Sequence, residues 1–191
     1  MNRYKELLSL AKAEKPANII EIGTWNGVRA VELVKSTGAK YVGFDLFEEA
    51  SAKTDYEEKN VKAHFSENSV YNYFFKNNIA GKLIKGNTND TLPKFREEFP
   101  EILFDFAWID GGHAVATIKN DWHYVEQMMA PGALVVFDDY YVNFNNTDEW
   151  GCNSIVDSLD YKQFGESLDP VRSDGINTQT KVKIAWTRKP L

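Results

Sequence analysis

Acidic residues stand at the ends of the strand-like runs of this sequence: Glu21, Asp45, Asp110 and the pair Asp138-Asp139. Glu21 opens the stretch Glu21-Ile22-Gly23-Thr24-Trp25-Asn26-Gly27. Two glycines four apart, between a strand and a helix, mark a tight turn where backbone can approach a ligand. The same turn also serves plain packing of helix on strand. Glu21 at its mouth would repel phosphate and could pair with an ammonium. A dinucleotide loop G-x-G-x-x-G needs a middle glycine, and Trp25 stands there, which disfavours a nicotinamide or flavin dinucleotide. No G-x-x-x-x-G-K-[ST] occurs, so a phosphate-cradling loop is unsupported. Asp45, eighteen residues beyond Gly27, is placed to accept both hydroxyls of a ribose, or is a solvated strand-end acid.

Asp110, Asp138 and Asp139 would meet in one cleft if their strands are neighbours. Three like charges raise one another's pKa unless a cation offsets them. An all-oxygen set selects a hard ion such as Mg²⁺. Turn chemistry is the plainer alternative, since Asp110 precedes Gly111-Gly112 and Asp138-Asp139 opens a loop. His113 lies three residues beyond Asp110. A neutral imidazole there could take a hydroxyl proton, or could make only a structural bond at a helix start. His64 and His123 read as structural.

The elements that must position these residues follow from periodicity. Tyr4, Leu7, Leu8 and Ala11 recur at helical spacing, and Pro16 ends that helix. Strands are expected at Asn18–Ile22, Tyr41–Asp45, Leu83–Lys85, Phe104–Asp110, Ala133–Phe137, Gln163–Val171 and Lys181–Trp186. Helices are expected near Asn26–Ser36, Asp90–Phe99 with Pro93 in its first turn, Val115–Met129 and Asn153–Leu159. Pro131-Gly132 reads as a turn, and Ser173-Asp174-Gly175 as part of a connection. Strands separated by helices imply βαβ units and an α/β fold with a mainly parallel sheet covered on both faces. Such sheets bind ligands at the carboxyl ends of their strands.

These residues resemble the class I S-adenosylmethionine-dependent methyltransferases. The resemblance rests on E-I-G-T-W-N-G at 21–27, Asp45, G-N-T-N-D at 86–90, W-I-D-G-G-H at 108–113 and F-D-D at 137–139, and covers roughly residues 17–187. It points to the metal-dependent small-molecule O-methyltransferases, which include the macrocin-type enzymes and, more distantly, catechol O-methyltransferase. It implies a Rossmann-like, doubly wound, mainly parallel seven-stranded sheet with an antiparallel C-terminal strand. By position, Glu21, Gly23, Thr24 and Gly27 would hold the methionine part of S-adenosylmethionine, Asp45 its ribose, and Asn87 and Thr88 its adenine, with Asp110 beside it. Many relatives carry Asp where Asn87 stands. Asp110, Asp138 and Asp139 would be the ligands of Mg²⁺ or Mn²⁺. Some relatives carry a second acid two residues after the first. Here that position is Gly112, so that base is missing; other relatives carry a Lys or His base three residues on, which matches His113, and the resemblance implies His113 and Asp110 as the catalytic residues.

Composition sets the outer bounds. The chain is one domain's worth, 1–191, with 47–80 as a variable cap. Its 22 basic and 28 acidic residues give −6, which lacks the basic footprint of a nucleic-acid binder. No run approaches the ~18 apolar residues of a membrane span. The single Cys152 forbids an internal disulfide and a multi-cysteine zinc site. A cytoplasmic enzyme acting on a hydroxylated small molecule is expected, with a homodimer allowed. The aromatic stretches Phe47–Ala80 and Tyr140–Trp150 are expected to wall the substrate. Rival readings are a metal-independent N- or C-methyltransferase and a non-catalytic S-adenosylmethionine-binding protein.

Overall fold

The computed structural model describes residues 2–60, 62–171 and 179–191. Helix α1 (Arg3–Glu14) starts where the Asn2 side chain accepts the Lys5 amide, and it stops at a left-handed Lys15. Strand β1 (Asn18–Ile22) follows, its first amides held by one oxygen of Asp105 at 2.9 and 2.8 Å. Next come α2 (Val28–Thr37), β2 (Lys40–Asp45), α3 (Ala52–Glu58), α4 (Glu67–Lys76), β3 (Lys82–Lys85), α5 (Thr88–Glu98), β4 (Phe104–Ile109) and α6 (Val115–Met128). The chain then forms β5 (Met129–Val142), α7 (Asn153–Asp157), β6 (Gln163–Phe164), β7 (Asp169–Pro170) and β8 (Lys181–Arg188).

One sheet holds the strands in the order β3-β2-β1-β4-β5-β8-β6, with β7 also on β8. The pairs from β3 to β5 are parallel, and β8 runs antiparallel to β5. Strand order therefore reverses between β1 and β4, and β4 and β5 are neighbours. Successive strand residues face opposite sides, which splits the core in two. Ile20, Ile22, Phe44, Ala107 and Ile109 pack under α5, α6 and α7. Ile19, Tyr41, Phe106 and Trp108 pack under α1, α2 and α4. Among the described residues no helix is long and apolar enough to cross a membrane.

Three expectations change. The sheet has eight strands, because the expected strand Gln163–Val171 is two short pieces. Glu6 of α1 accepts the amides of Glu166 and Ser167 at 2.9 and 3.3 Å, which takes that stretch out of the ladder. The Ser173-Asp174-Gly175 connection lies outside the described residues. Strand β5 extends through the expected Pro131-Gly132 turn, because Gly132 and Ala133 bond across to Lys189 of the chain leaving β8. Helix α5 begins at Thr88, capped by Asn87, so Pro93 falls inside the helix rather than in its first turn. The segment 47–80, read from the sequence as a variable cap, holds a 3₁₀ turn at Phe47–Glu49, then α3 and α4.

Between β5 and β8 the register slips. Phe137 faces Ala185, and the next pair is Tyr140 with Lys183. Asp138 and Asp139 thus share the single partner position of Ile184, which is a β-bulge. Asp139 takes the left-handed conformation such a bulge uses, with φ 57°.

Removing the Glu6 carboxylate should loosen the outer strands without touching the rest. Glu6→Ala takes the acceptor from one buried and one part-buried amide and is expected to cost about 1–3 kcal/mol in urea denaturation.

Candidate functional site

A cavity of about 250 Å³ runs along the carboxyl ends of β1, β2, β3 and β4. Of the residues the sequence placed at the cofactor, Gly23, Asp45, Asn87, Thr88 and Asp110 line it. Glu21, Thr24 and Gly27 do not. Asp45 accepts the Trp25 amide at 2.7 Å on one oxygen and the Phe47 amide at 2.8 Å on the other. Each oxygen keeps a lone pair for a further donor such as a sugar hydroxyl. Asn87 has its side-chain oxygen engaged by the Asn89 amide at 2.9 Å, as the cap of α5.

The glycines answer to the fold. A Cβ on Gly23 would lie 2.0 Å from the carbonyl oxygen of Asp110, and φ there is 91°. A Cβ on Gly27 would meet Val70 and Phe74 of α4 at 2.8 and 2.9 Å. Both absences of side chain let secondary structures close on one another. Glu21 is wholly buried on the α1/α2 side of the sheet and accepts the hydroxyl of Tyr41, which also meets Thr24 Oγ1 at 3.1 Å. Its other oxygen has no hydrogen-bond partner. Burial lifts the Glu21 pKa to about 8, against the favourable bond from Tyr41.

The cap closes one side of the cavity. Trp25 stands up from the glycine turn in a left-handed conformation, and its indole N–H donates to the Ala63 carbonyl at 2.7 Å. Its ring meets Phe65 edge-on at 5.6 Å. Glu58, at the end of α3, accepts the Ala114 amide at 2.9 Å and the Thr117 hydroxyl at 2.5 Å. Lys59 lies 3.8 Å over the Trp150 ring. Among the aromatics of the cap, Phe47 and Phe65 reach the cavity, whereas Phe74 is core and Tyr56 and Phe75 face solvent. None of Tyr140, Tyr141, Phe144 and Trp150 borders this cavity.

At the other end the three carboxylates meet. Asp110, Asp138 and Asp139 each offer an oxygen within 4.8 Å of the others. The bulge makes this possible, since an unbroken strand would send Asp138 and Asp139 to opposite faces. Each acid has a basic side chain beside it. Arg3 Nε spans both oxygens of Asp138 at 2.8 and 3.1 Å. Lys62 Nζ is 3.8 Å from Asp110, and His113 Nε2 is 3.2 Å from Asp139. Burial and the neighbouring acids hold the pKa of Asp138 well above the usual carboxylate range. Burial raises that of Asp110, while Lys62 opposes the rise. His113 Nδ1 faces the Glu58 carbonyl at 2.8 Å, which can only accept, so the ring proton sits on Nδ1.

The donor set suits a hard divalent ion, three oxygens and no sulfur or nitrogen. A bound ion would compete with Arg3 for Asp138. Sequence reading found the acids and His113 and missed Arg3, Glu58, Lys62 and Asp121. Only Asp121 left a signal. It falls between Ile118 and Val125 on the inward stripe of α6, where an apolar residue is expected.

Residues 20–140 match a family model described as a methyltransferase domain. No curated protein matches the sequence. Among solved structures, the O-methyltransferase TomG from Streptomyces achromogenes, in complex with SAM, superposes with a TM-score of 0.68 at 15% identity, over 98% of this chain and 79% of that one. An O-methyltransferase from Bacillus cereus in complex with SAH gives 0.66 at 16%, over 98% and 80%. An rRNA methylase from Streptococcus thermophilus gives 0.66 at 12%, over 100% and 98%. At these identities the likeness is one of fold.

The buried Glu21 makes stability depend on pH in a definite sense. Between its usual value of 4.5 and about 8 the folded chain keeps a proton that the unfolded chain has released. Stability therefore falls as pH rises through that window. Glu21→Gln has no proton to lose. Its advantage over the wild type in urea denaturation should be small at pH 5 and grow to roughly 2–4 kcal/mol by pH 8.

Proposed function

The chain belongs to the methyltransferase-domain family, its match spanning residues 20–140, and from that premise we propose that it transfers a methyl group from S-adenosylmethionine to a hydroxyl oxygen of a small molecule. One juxtaposition supports this reading most. Asp110 borders both the nucleoside-sized cavity and the carboxylate cluster, so a methyl donor in the first would face an oxygen held at the second. Asp45, Gly23, Asn87, Thr88 and Asp110 are the proposed cofactor contacts. S-adenosylmethionine would supply an electrophilic methyl on a sulfonium. Asp110, Asp138 and Asp139 would hold Mg²⁺ or Mn²⁺, and an ion so held would lower the pKa of a hydroxyl it touches.

The chain's own residues supply the proton chemistry. With its proton fixed on Nδ1 by the Glu58 carbonyl, His113 presents Nε2 as the basic atom. The proton of the substrate hydroxyl passes to that nitrogen, and the resulting imidazolium faces Asp139 at 3.2 Å. The oxygen left behind takes the methyl. The electron pair of the breaking carbon–sulfur bond stays on sulfur. Charge is lost in this step, so exclusion of water favours it. The cap, held by Trp25 and Glu58, supplies that exclusion.

A small-molecule substrate is favoured over RNA by the −6 charge, because phosphate backbones require a basic surface. A cytoplasmic setting accords with a lone, buried Cys152.

Calorimetry with S-adenosylmethionine should show binding that Asp45→Ala weakens by about 1–3 kcal/mol. Failure of the intact wild-type protein to bind it would overturn the reading. In turnover with a hydroxylated acceptor, His113→Ala should lower kcat by about 100-fold or more while leaving cofactor affinity unchanged. A chelator should abolish turnover if the acids hold an ion. Full activity in excess chelator would move the reading to metal-independent transfer, with Arg3 as the resident cation of Asp138.

A further inference from the structure

Helix α6 turns Val115, Ile118, Asp121, Val125 and Met128 inward. Four of these are apolar and pack on the sheet. Asp121 is an acid with no exposed surface at all. Neither of its oxygens meets a donor in good hydrogen-bond geometry, although the side chains of Thr88 and Asn120 stand close enough to favour its charged form. Isolated buried carboxyls are costly, and native proteins seldom keep one without a partner. Replacing it with an apolar residue of similar size would remove that cost. Thr88 and Asn120 answer it only in part, which leaves acceptor capacity for a group from outside the protein.

The position says which group. Asp121 borders the cavity of the proposed cofactor. Of the buried side-chain atoms without a hydrogen-bond partner among the described residues, only those of Asp121 belong to a residue of the cavity wall. Its Oδ2 lies behind Gly111, 3.6 Å from where a Cβ on that glycine would stand. Thr88, at the start of α5, also borders the cavity, and its side chain favours the charged form of Asp121. Asp45, beside the β3 loop through the bond from the Gly86 amide to its carbonyl, marks the sugar end of the same cavity. A base attached to that sugar would extend toward Thr88, Gly111 and Asp121. An adenine brings an exocyclic amine, which is a donor and needs an acceptor. Asn87 has its oxygen engaged by the Asn89 amide.

We propose that Asp121 accepts the hydrogen bond of the adenine 6-amino group and sets the preference of this enzyme for an adenine nucleoside. The inference rests on the reading of the cavity as an S-adenosylmethionine site. Burial brings the carboxyl to a pKa of about 7, with Thr88 and Asn120 opposing the rise and Glu58 adding to it. A bonded amine then favours the ionised acceptor form.

The test compares two probes on the intact chain by calorimetry. One is S-adenosylhomocysteine; the other is the same molecule with purine in place of adenine, which lacks only the amino group. The wild type should prefer the adenine compound by roughly 10-fold or more. Asp121→Leu should bind both about equally, losing affinity for the adenine compound alone, with a thermal midpoint no lower than the wild type. Asp121→Asn keeps an acceptor oxygen and should restore most of the preference. Equal affinities in the wild type, or an undiminished preference in Asp121→Leu, would overturn the role of Asp121 while leaving the cofactor site standing. Binding of neither probe to the folded wild type would overturn the cofactor reading and this inference together.

Discussion

Three carboxylates crowded at the ends of β4 and β5 must be balanced by positive charge, and much of the molecule is arranged around that requirement. At a few ångströms in a partly dry site, like charges repel by several kcal/mol. The balancing cations come from far along the chain. Arg3 reaches Asp138 from 135 residues away, at the start of α1. Lys62 comes from the cap, and the imidazole of His113, from the loop after β4, stands against Asp139. The amino-terminal helix and the cap are thus fastened to the site by charge as well as by packing. Arg3 is further held by Asp169 and by the face of Tyr4, so β7 joins the same assembly.

The strand-end acids were legible because a parallel sheet gathers its carboxyl ends on one edge, and β4 lies beside β5. Their countercharges were not, because nothing local marks Arg3 or Lys62 as partners of acids far away in sequence. The glycines were legible as turns but not in purpose. Gly23 and Gly27 look alike in sequence, yet one clears the Asp110 carbonyl and the other clears α4. Glu21 was placed at the mouth of the cleft on its proximity to the turn. Alternation along β1 instead aims it at Tyr41, on the face of the sheet away from α6. The outer strand was misread because its interruption depends on Glu6, a residue of α1 about 160 positions away. Asp121 could have been seen: one acid on an otherwise apolar helical stripe is a local irregularity.

Trp25 shows why a departure from a glycine pattern can be constructive. The position that excludes a dinucleotide loop supplies a ring and an N–H to the cap, and they land on Phe65 and Ala63. The backbone amide of the same residue lands on Asp45. One residue therefore joins the β1 turn, the end of β2 and the roof of the cavity.

The bulge in β5 has a consequence for how this site is inherited. Asp138 and Asp139 point into the same cleft only because β5 carries one more residue than β8 at that point. Deleting a single residue there would restore strict alternation and turn one of the two acids to the far side of the sheet, with both Asp letters still in the gene. The site is thus encoded by local chain length as much as by residue identity. Homologues that keep the Asp-Asp pair but lose or gain one residue across this strand pair should be counted as having lost the cluster, whatever their alignment score.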